Sequence, residues 1–265
     1  MSDIRMSLIA KGFVFYRGPS VLDGAPIMAV ATLESSNAKT GPKGRGNMVQ
    51  TWILRADVDP VAASKSGDDA SICGACPHRH HLGGACYVNI GQAPGAVYRA
   101  AQRGRYKELD IVGSDSDALI ASHLLWGRAV RLGAYGDPAA VPFDVWAQLL
   151  DGVEKWTGYT HQARHPRFDS RLFRYCMASA DTPKQAEKLN QRGARTFRVK
   201  SHGAPMLRGE LECLSDTTGA KCIDCGLCDG ANRDAPSIVI NVHGSRSSRF
   251  DSALGGAQLI ARATA

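Results

Sequence analysis

Three apolar runs open the chain. Phe13–Tyr16, Ile27–Leu33 and Met48–Leu54 read as strands, the first two separated by Gly and Pro punctuation. Residues 35–47 (SSNAKTGPKGRGN) between the later pair are a polar, basic, glycine-rich loop, and 56–72 are a loop or short helix. The pattern then turns helical. Gly95–Tyr106 has Pro94 near its start, and Ser116–Trp126 opens on a Ser–Asp pair that supplies a cap.

From residue 129 the period alternates. Ala129–Leu132 is a short apolar run leading into Gly133–Pro138. Across Pro142–Trp156, the residues Phe143, Val145, Trp146, Leu149, Leu150 and Val153 fall at near-helical spacing. Gly158–His161 and Leu172–Ser179 are strand-like. Thr182–Arg192 is a helix with Pro183 in its first turn and Gly193 as its stop, and Thr196–Val199 is a strand. The order strand–helix–strand–strand–helix–strand predicts βαβ units with parallel strands. The expected fold is therefore α/β: a partial (βα) barrel or an open parallel sheet, with cysteine-rich metal-binding loops. Ligands bind beyond the carboxyl ends of strands in such folds. Here those ends lead into Gly133–Pro138, Thr160–His165 and Ala178–Thr182. Residues 1–243 are read as a single domain. Residues 244–265, small, polar and glycine-rich at first, are read as a weakly ordered tail.

Composition narrows the class. A chain of 265 residues with 44% hydrophobic and 22% charged residues can bury a core and is neither fibrous nor disordered. No apolar run reaches the roughly 20 residues of a membrane helix. Met1–Lys11 lacks the features of a secretory signal, so a cytoplasmic location is expected. Thiols stay reduced there, and eight cysteines then point to metal rather than disulfides. The net charge of +7 favours a nucleic acid or nucleotide partner, although ordinary solubility explains it equally well.

The cysteines fall into two sets. Cys222, Cys225 and Cys228 form a C-x2-C-x2-C run, the spacing that wraps a corner of a four-iron cluster in bacterial ferredoxins. Gly226 eases the turn, and Cys213 upstream is the expected fourth ligand. A four-thiolate zinc site is the alternative. Cys73, Cys76 and Cys86 have C-x2-C-x9-C spacing among His78, His80 and His81. Either a histidine completes that site, or three thiolates leave one iron open for a substrate or cofactor. Two [4Fe-4S] clusters are the expected cofactors. Cys176 sits in an apolar run and reads as core.

Other candidates are less specific. Asp137, after Gly133 and Gly136, suits a ribose hydroxyl or a cation, or simply a turn before Pro138. His161 has the chemistry of a proton carrier, or belongs to a polar loop. Asp181 is read as a cap for the Thr182 helix. Arg99, Arg103, Arg105 and Lys107, interleaved with Tyr98 and Tyr106, suit phosphate contacts and base stacking, or a solvated face. Lys39, Lys43 and Arg45 add to that charge.

At these motifs a resemblance enters. Asn37–Gly41 (NAKTG), the Cys73/Cys76 pair, Cys86–Tyr87, Cys222–Cys228 and the SIVINVH segment from Ser237 resemble the phage family named after gene product eighty-eight. The first cysteine set is more loosely similar to phage proteins related to radical-SAM enzymes. That likeness implies a partial (βα) barrel and an open-iron cluster chelating S-adenosylmethionine, with Gly133, Gly136 and Asp137 placed to contact it. The spacing departs from the usual C-x3-C-x2-C of those enzymes. Two functions follow as expectations. One is an iron–sulfur, radical-SAM-like enzyme acting on a nucleotide or nucleic acid in the host cytoplasm. The other is a non-catalytic nucleic-acid-binding protein with structural iron–sulfur or zinc centres.

Overall fold

The computed structural model describes residues 10–254, apart from 231 and 233. The three opening strands form as expected: β1 (Gly12–Pro19), β2 (Pro26–Thr32) and β3 (Val49–Arg55). A short turn joins β1 to β2 and the glycine-rich loop joins β2 to β3, so both pairs are antiparallel. Helix α1 (Pro60–Ser66) is capped by Asp59, and the short α2 (Ala70–Cys73) carries the first cysteine.

Helix α3 (Ala93–Gln102) ends earlier than its apolar spacing predicts. Beyond it the chain extends into a two-residue strand, β4 (Lys107–Glu108), parallel to β1. Helix α4 (Asp115–Leu125) is capped by Ser114, whose hydroxyl accepts from Asp117 N.

The βαβ region follows. β5 (Val130–Tyr135) leads through α5 (Phe143–Leu149) to β6 (Trp156–Thr157) and β7 (Tyr159–Thr160). Helix α5 is half the length its pattern predicts, and Gly152, at φ 73°, turns the chain before β6. Asp169 caps a 3-10 turn at Ser170–Arg174, so the predicted strand there narrows to β8 (Met177–Ala180). Helix α6 (Pro183–Gln191) has Thr182 as its cap, with the hydroxyl accepting from Gln185 N, and leads to β9 (Thr196–Lys200). Three further elements carry or flank the late cysteines: β10 (Glu210–Glu212), α7 (Leu214–Thr217) and α8 (Cys222–Cys225). Strand β11 (Ser237–Asn241) comes last.

Two sheets result, ordered β4-β1-β2-β3-β5-β6 and β10-β11-β9-β8-β7. The first is mixed and the second wholly parallel. The fold is thus α/β, and no barrel closes among the described residues. Only Gly158 separates β6 from β7. A Cβ there would sit 2.7 Å from Cys176 Sγ and Tyr175 O, so the passage from one sheet to the next needs glycine.

The main core packs on the mixed sheet around Trp146, whose indole N–H donates to Pro138 O. Cys176 belongs to this core, as its apolar setting predicts. A smaller cluster of alanines with Leu189 lies under α6. A third joins Ala85, Val242 and Phe250, so residues up to Leu254 of the expected tail pack against the body. Residues 255–265 lie outside the described residues. No described helix is long and apolar enough to cross a membrane.

Candidate metal and ligand site

Strands β5 to β9 and β11, from the two sheets, contribute to the lining of a common cavity of about 520 Å³. Alternate residues reach it: Arg131 and Gly133 from β5, Thr157 and Tyr159 from β6 and β7, Phe197 and Val199 from β9. Both cysteine sets line the same cavity. Cys73, Cys76 and Cys86 are near one another there, and Cys213, Cys222, Cys225 and Cys228 form a second group.

Backbone geometry fixes the first set. Cys76 N donates to Cys73 O, and Cys86 N to His78 O. Gly84 lets the two arms of this loop touch, since a Cβ there would lie 2.4 Å from the His78 backbone. Arg79 ties the loop down through Asp69, Gly74 O and Gly67 O. Gln162 bridges to the sheet, donating to Cys73 O at 2.8 Å and accepting from Ala75 N at 3.0 Å. Burial pushes the Cys73 thiol far up and Cys86 up to about 11, with Cys76 nearby adding to both.

The second set is held from three sides. The glycine-rich loop supplies the first contact: Cys222 N donates to Lys39 O and Ile223 N to Thr40 O. Asn47 organises that loop. Its amide donates to Asn37 O and Gly41 O, while its Oδ1 accepts from Thr40 Oγ1 and Met48 N. Gly158 N donates to Cys228 O, and the Trp156 indole to Asp229 O. Arg195 closes the third side on Leu227 O, Pro236 O and the Asp229 carboxylate. Burial pushes Cys228 up to about 12, against the nearby Tyr159 hydroxyl, which lowers it. Replacing Asn47 by alanine orphans several buried groups. A loss of about 2 kcal/mol is expected, measured by urea unfolding.

Asp137 sits at the centre of the sequence-predicted loops. Its carboxylate accepts from Thr160 Oγ1 and His161 N, both at 2.7 Å, and from Ala139 N at 3.0 Å. These donors occupy it, and it holds the Thr160–Gln162 turn rather than presenting a free carboxylate. Gly133 and Gly136 line the cavity, yet their glycine identity has a packing cause. A Cβ on Gly133 would meet Gly136 O at 2.6 Å, and one on Gly136 would meet Ile53 O at 2.7 Å, both at positive φ.

No protein-family model, curated protein or solved structure matches the chain. The site therefore rests on its own geometry.

Among the described residues, one group of side chains has ligand atoms all within 4.8 Å of one another: His78, His161 and Asp181. No three cysteine sulfurs come that close. His161 contacts the Cys76 thiol as well as Asp181. Burial opposes its charge, but those two neighbours carry its pKa well above the usual imidazole value.

The spacing of residues in the chain gave no sign of Arg131. It reaches into the cavity, donates to the Tyr87 hydroxyl at 2.7 Å, and has no carboxylate partner among the described residues. Arg99, Arg103, Arg105 and Lys107 are exposed and line neither cavity; Lys107 lies in β4, while Arg99 is on α3, which packs on β3 and α1. Tyr98 and Tyr106 are half-buried, each packed in part against the main core.

Proposed function

We propose that the chain is an iron–sulfur protein, with one cluster held by Cys213, Cys222, Cys225 and Cys228 and a second by Cys73, Cys76 and Cys86. The observation that carries this reading is the convergence of all seven cysteines on one cavity. Four thiolates on one zinc ion, with bonds of about 2.3 Å, stand about 3.8 Å apart. No three of the sulfurs here lie within 4.8 Å of one another. Thiolates of a four-iron cluster each bind a different iron and are necessarily further apart.

The cavity that both sets line favours an enzyme over a purely structural role. A small molecule held there would touch the three-cysteine cluster, whose fourth iron lacks a cysteine, with Arg131 available to an anionic group. S-adenosylmethionine at Gly133, Gly136 and Asp137 does not form part of the proposal, because packing and internal hydrogen bonds account for those residues. A polyanion is a second reading for the four exposed cations along α3 and the segment into β4, which have no carboxylate partner among the described residues.

The test compares metal content after oxygen-free purification. Replacing Cys222, Cys225 and Cys228 together with serine should remove about half the iron and acid-labile sulfide. Replacing Cys73 and Cys76 should remove the other half. Equal iron in all three proteins would refute the assignment.

A further inference from the structure

We propose that His78, His161 and Asp181 form a mononuclear site for a divalent first-row transition metal, distinct from the cysteine sets. His78 comes from the loop after α2, His161 from the end of β7 and Asp181 from the end of β8. The three meet only because β7 and β8 are parallel neighbours and the cysteine loop folds over their carboxyl ends.

The distances fit a coordination shell. Asp181 Oδ1 lies 2.8 Å from His78 Nε2 and 3.4 Å from His161 Nε2. A tetrahedral ion with bonds of about 2.0–2.2 Å sets its ligands about 3.3–3.6 Å apart, and the same bonds in an octahedron give about 2.8–3.1 Å. The shorter separation matches an octahedral edge and the longer a tetrahedral one, and all three ligand atoms lie within 4.8 Å of one another, so a shift of a few tenths of an ångström brings them onto one ion. Two imidazoles and one carboxylate suit zinc or iron(II), and three protein ligands leave a position open for water or substrate. Access exists from two sides. His78 and His161 line the large cavity, while His161 and Asp181 line a smaller one of about 140 Å³.

The competing arrangement is a metal-free trio in which His78 donates Nε2–H to Asp181. His78 Nδ1 is buried without a partner in either case, so it does not separate the two. The anionic ligand does. In Asp181→Asn the amide oxygen still accepts from His78, but the charge that binds a cation is gone.

The experiment titrates cobalt(II) into protein purified without oxygen and dialysed against EDTA. The result expected is one ion bound through nitrogen and oxygen, seen as paramagnetically shifted imidazole N–H signals, with sulfur-to-cobalt charge transfer only in proportion to the iron lost from the cysteine sets. Asp181→Asn and His78→Gln should keep the circular dichroism of the parent and lose this ion. Folded parent protein that takes up no cobalt, cobalt bound solely through thiolates, or an Asp181→Asn variant that binds as tightly would overturn the proposal. If both variants unfold, the imidazole signals of the parent decide alone. Iron and sulfide measured on the same samples report the cysteine sets separately, so either reading can fail without the other.

Discussion

Replacing Arg198 with methionine is expected to cost about 3–5 kcal/mol of folding stability. Arg198 and Glu210 form a two-pronged ion pair, with both bonds at 2.6 Å, and their side chains are only 2% and 1% exposed. Arg198 also donates to Pro205 O, and Glu210 accepts from Leu207 N. The pair thereby ties β9 to the segment leading into β10, the sheet edge just before Cys213. Removing the guanidinium strands a carboxylate out of water, which is the costly half of a buried pair. Replacing both partners, with Arg198→Met and Glu210→Leu together, should recover most of the loss. Urea unfolding measures both. A single-variant loss below about 1 kcal/mol, the range of an exposed ion pair, would show that water reaches the site.

The second large effect is expected at Gly230, two residues beyond Cys228. Its φ is +76°, and a Cβ would lie 2.5 Å from Cys176 N and 2.7 Å from Cys176 O. The neighbour is core backbone and cannot swing aside. Left-handed strain of about 1–2 kcal/mol and overpacking of about 1–3 kcal/mol together put Gly230→Ala near 3 kcal/mol. The damage is local in kind. Gly230 seats the cysteine loop against β6 and β8, so the variant should lose metal at Cys222, Cys225 and Cys228 and keep it at Cys73, Cys76 and Cys86. Thermal unfolding and iron content read the two effects. An unchanged melting temperature with full iron would contradict this role.

Much of the fold was legible along the chain, for identifiable reasons. Continuous apolar runs at Phe13, Ile27 and Met48 and the βαβ rhythm from residue 129 are strong, local signals. Errors came where tertiary contacts override local pattern. Helix α5 stops short although Val153 continues the apolar spacing, because Gly152 reverses the chain. Strands β4 and β10 are two and three residues long, too short for any period to show. The antiparallel half of the first sheet follows from the β1–β2 turn, which the βαβ pattern further along does not report. Phe250 anchors a segment whose polar composition reads as a tail.

The candidate site divides in the same way. Cysteine spacing marks out both sets, since the close pairs and the triplet are local in sequence. Their convergence on one cavity depends on strand order, which spacing does not carry. Asp181 has the ordinary look of a residue beside a helix start. Only the fold shows its carboxylate against two histidines, one of them 103 residues away. The loop around Asn37–Gly41 read as a basic surface, yet it grips the Cys222 turn through its backbone.

The most direct measurement is the iron, acid-labile sulfide and zinc content of the intact protein purified without oxygen. A brown protein is expected, whose iron and sulfide are near equal and approach about eight of each per chain, as two four-iron clusters require. A colourless protein carrying zinc and no sulfide would contradict it.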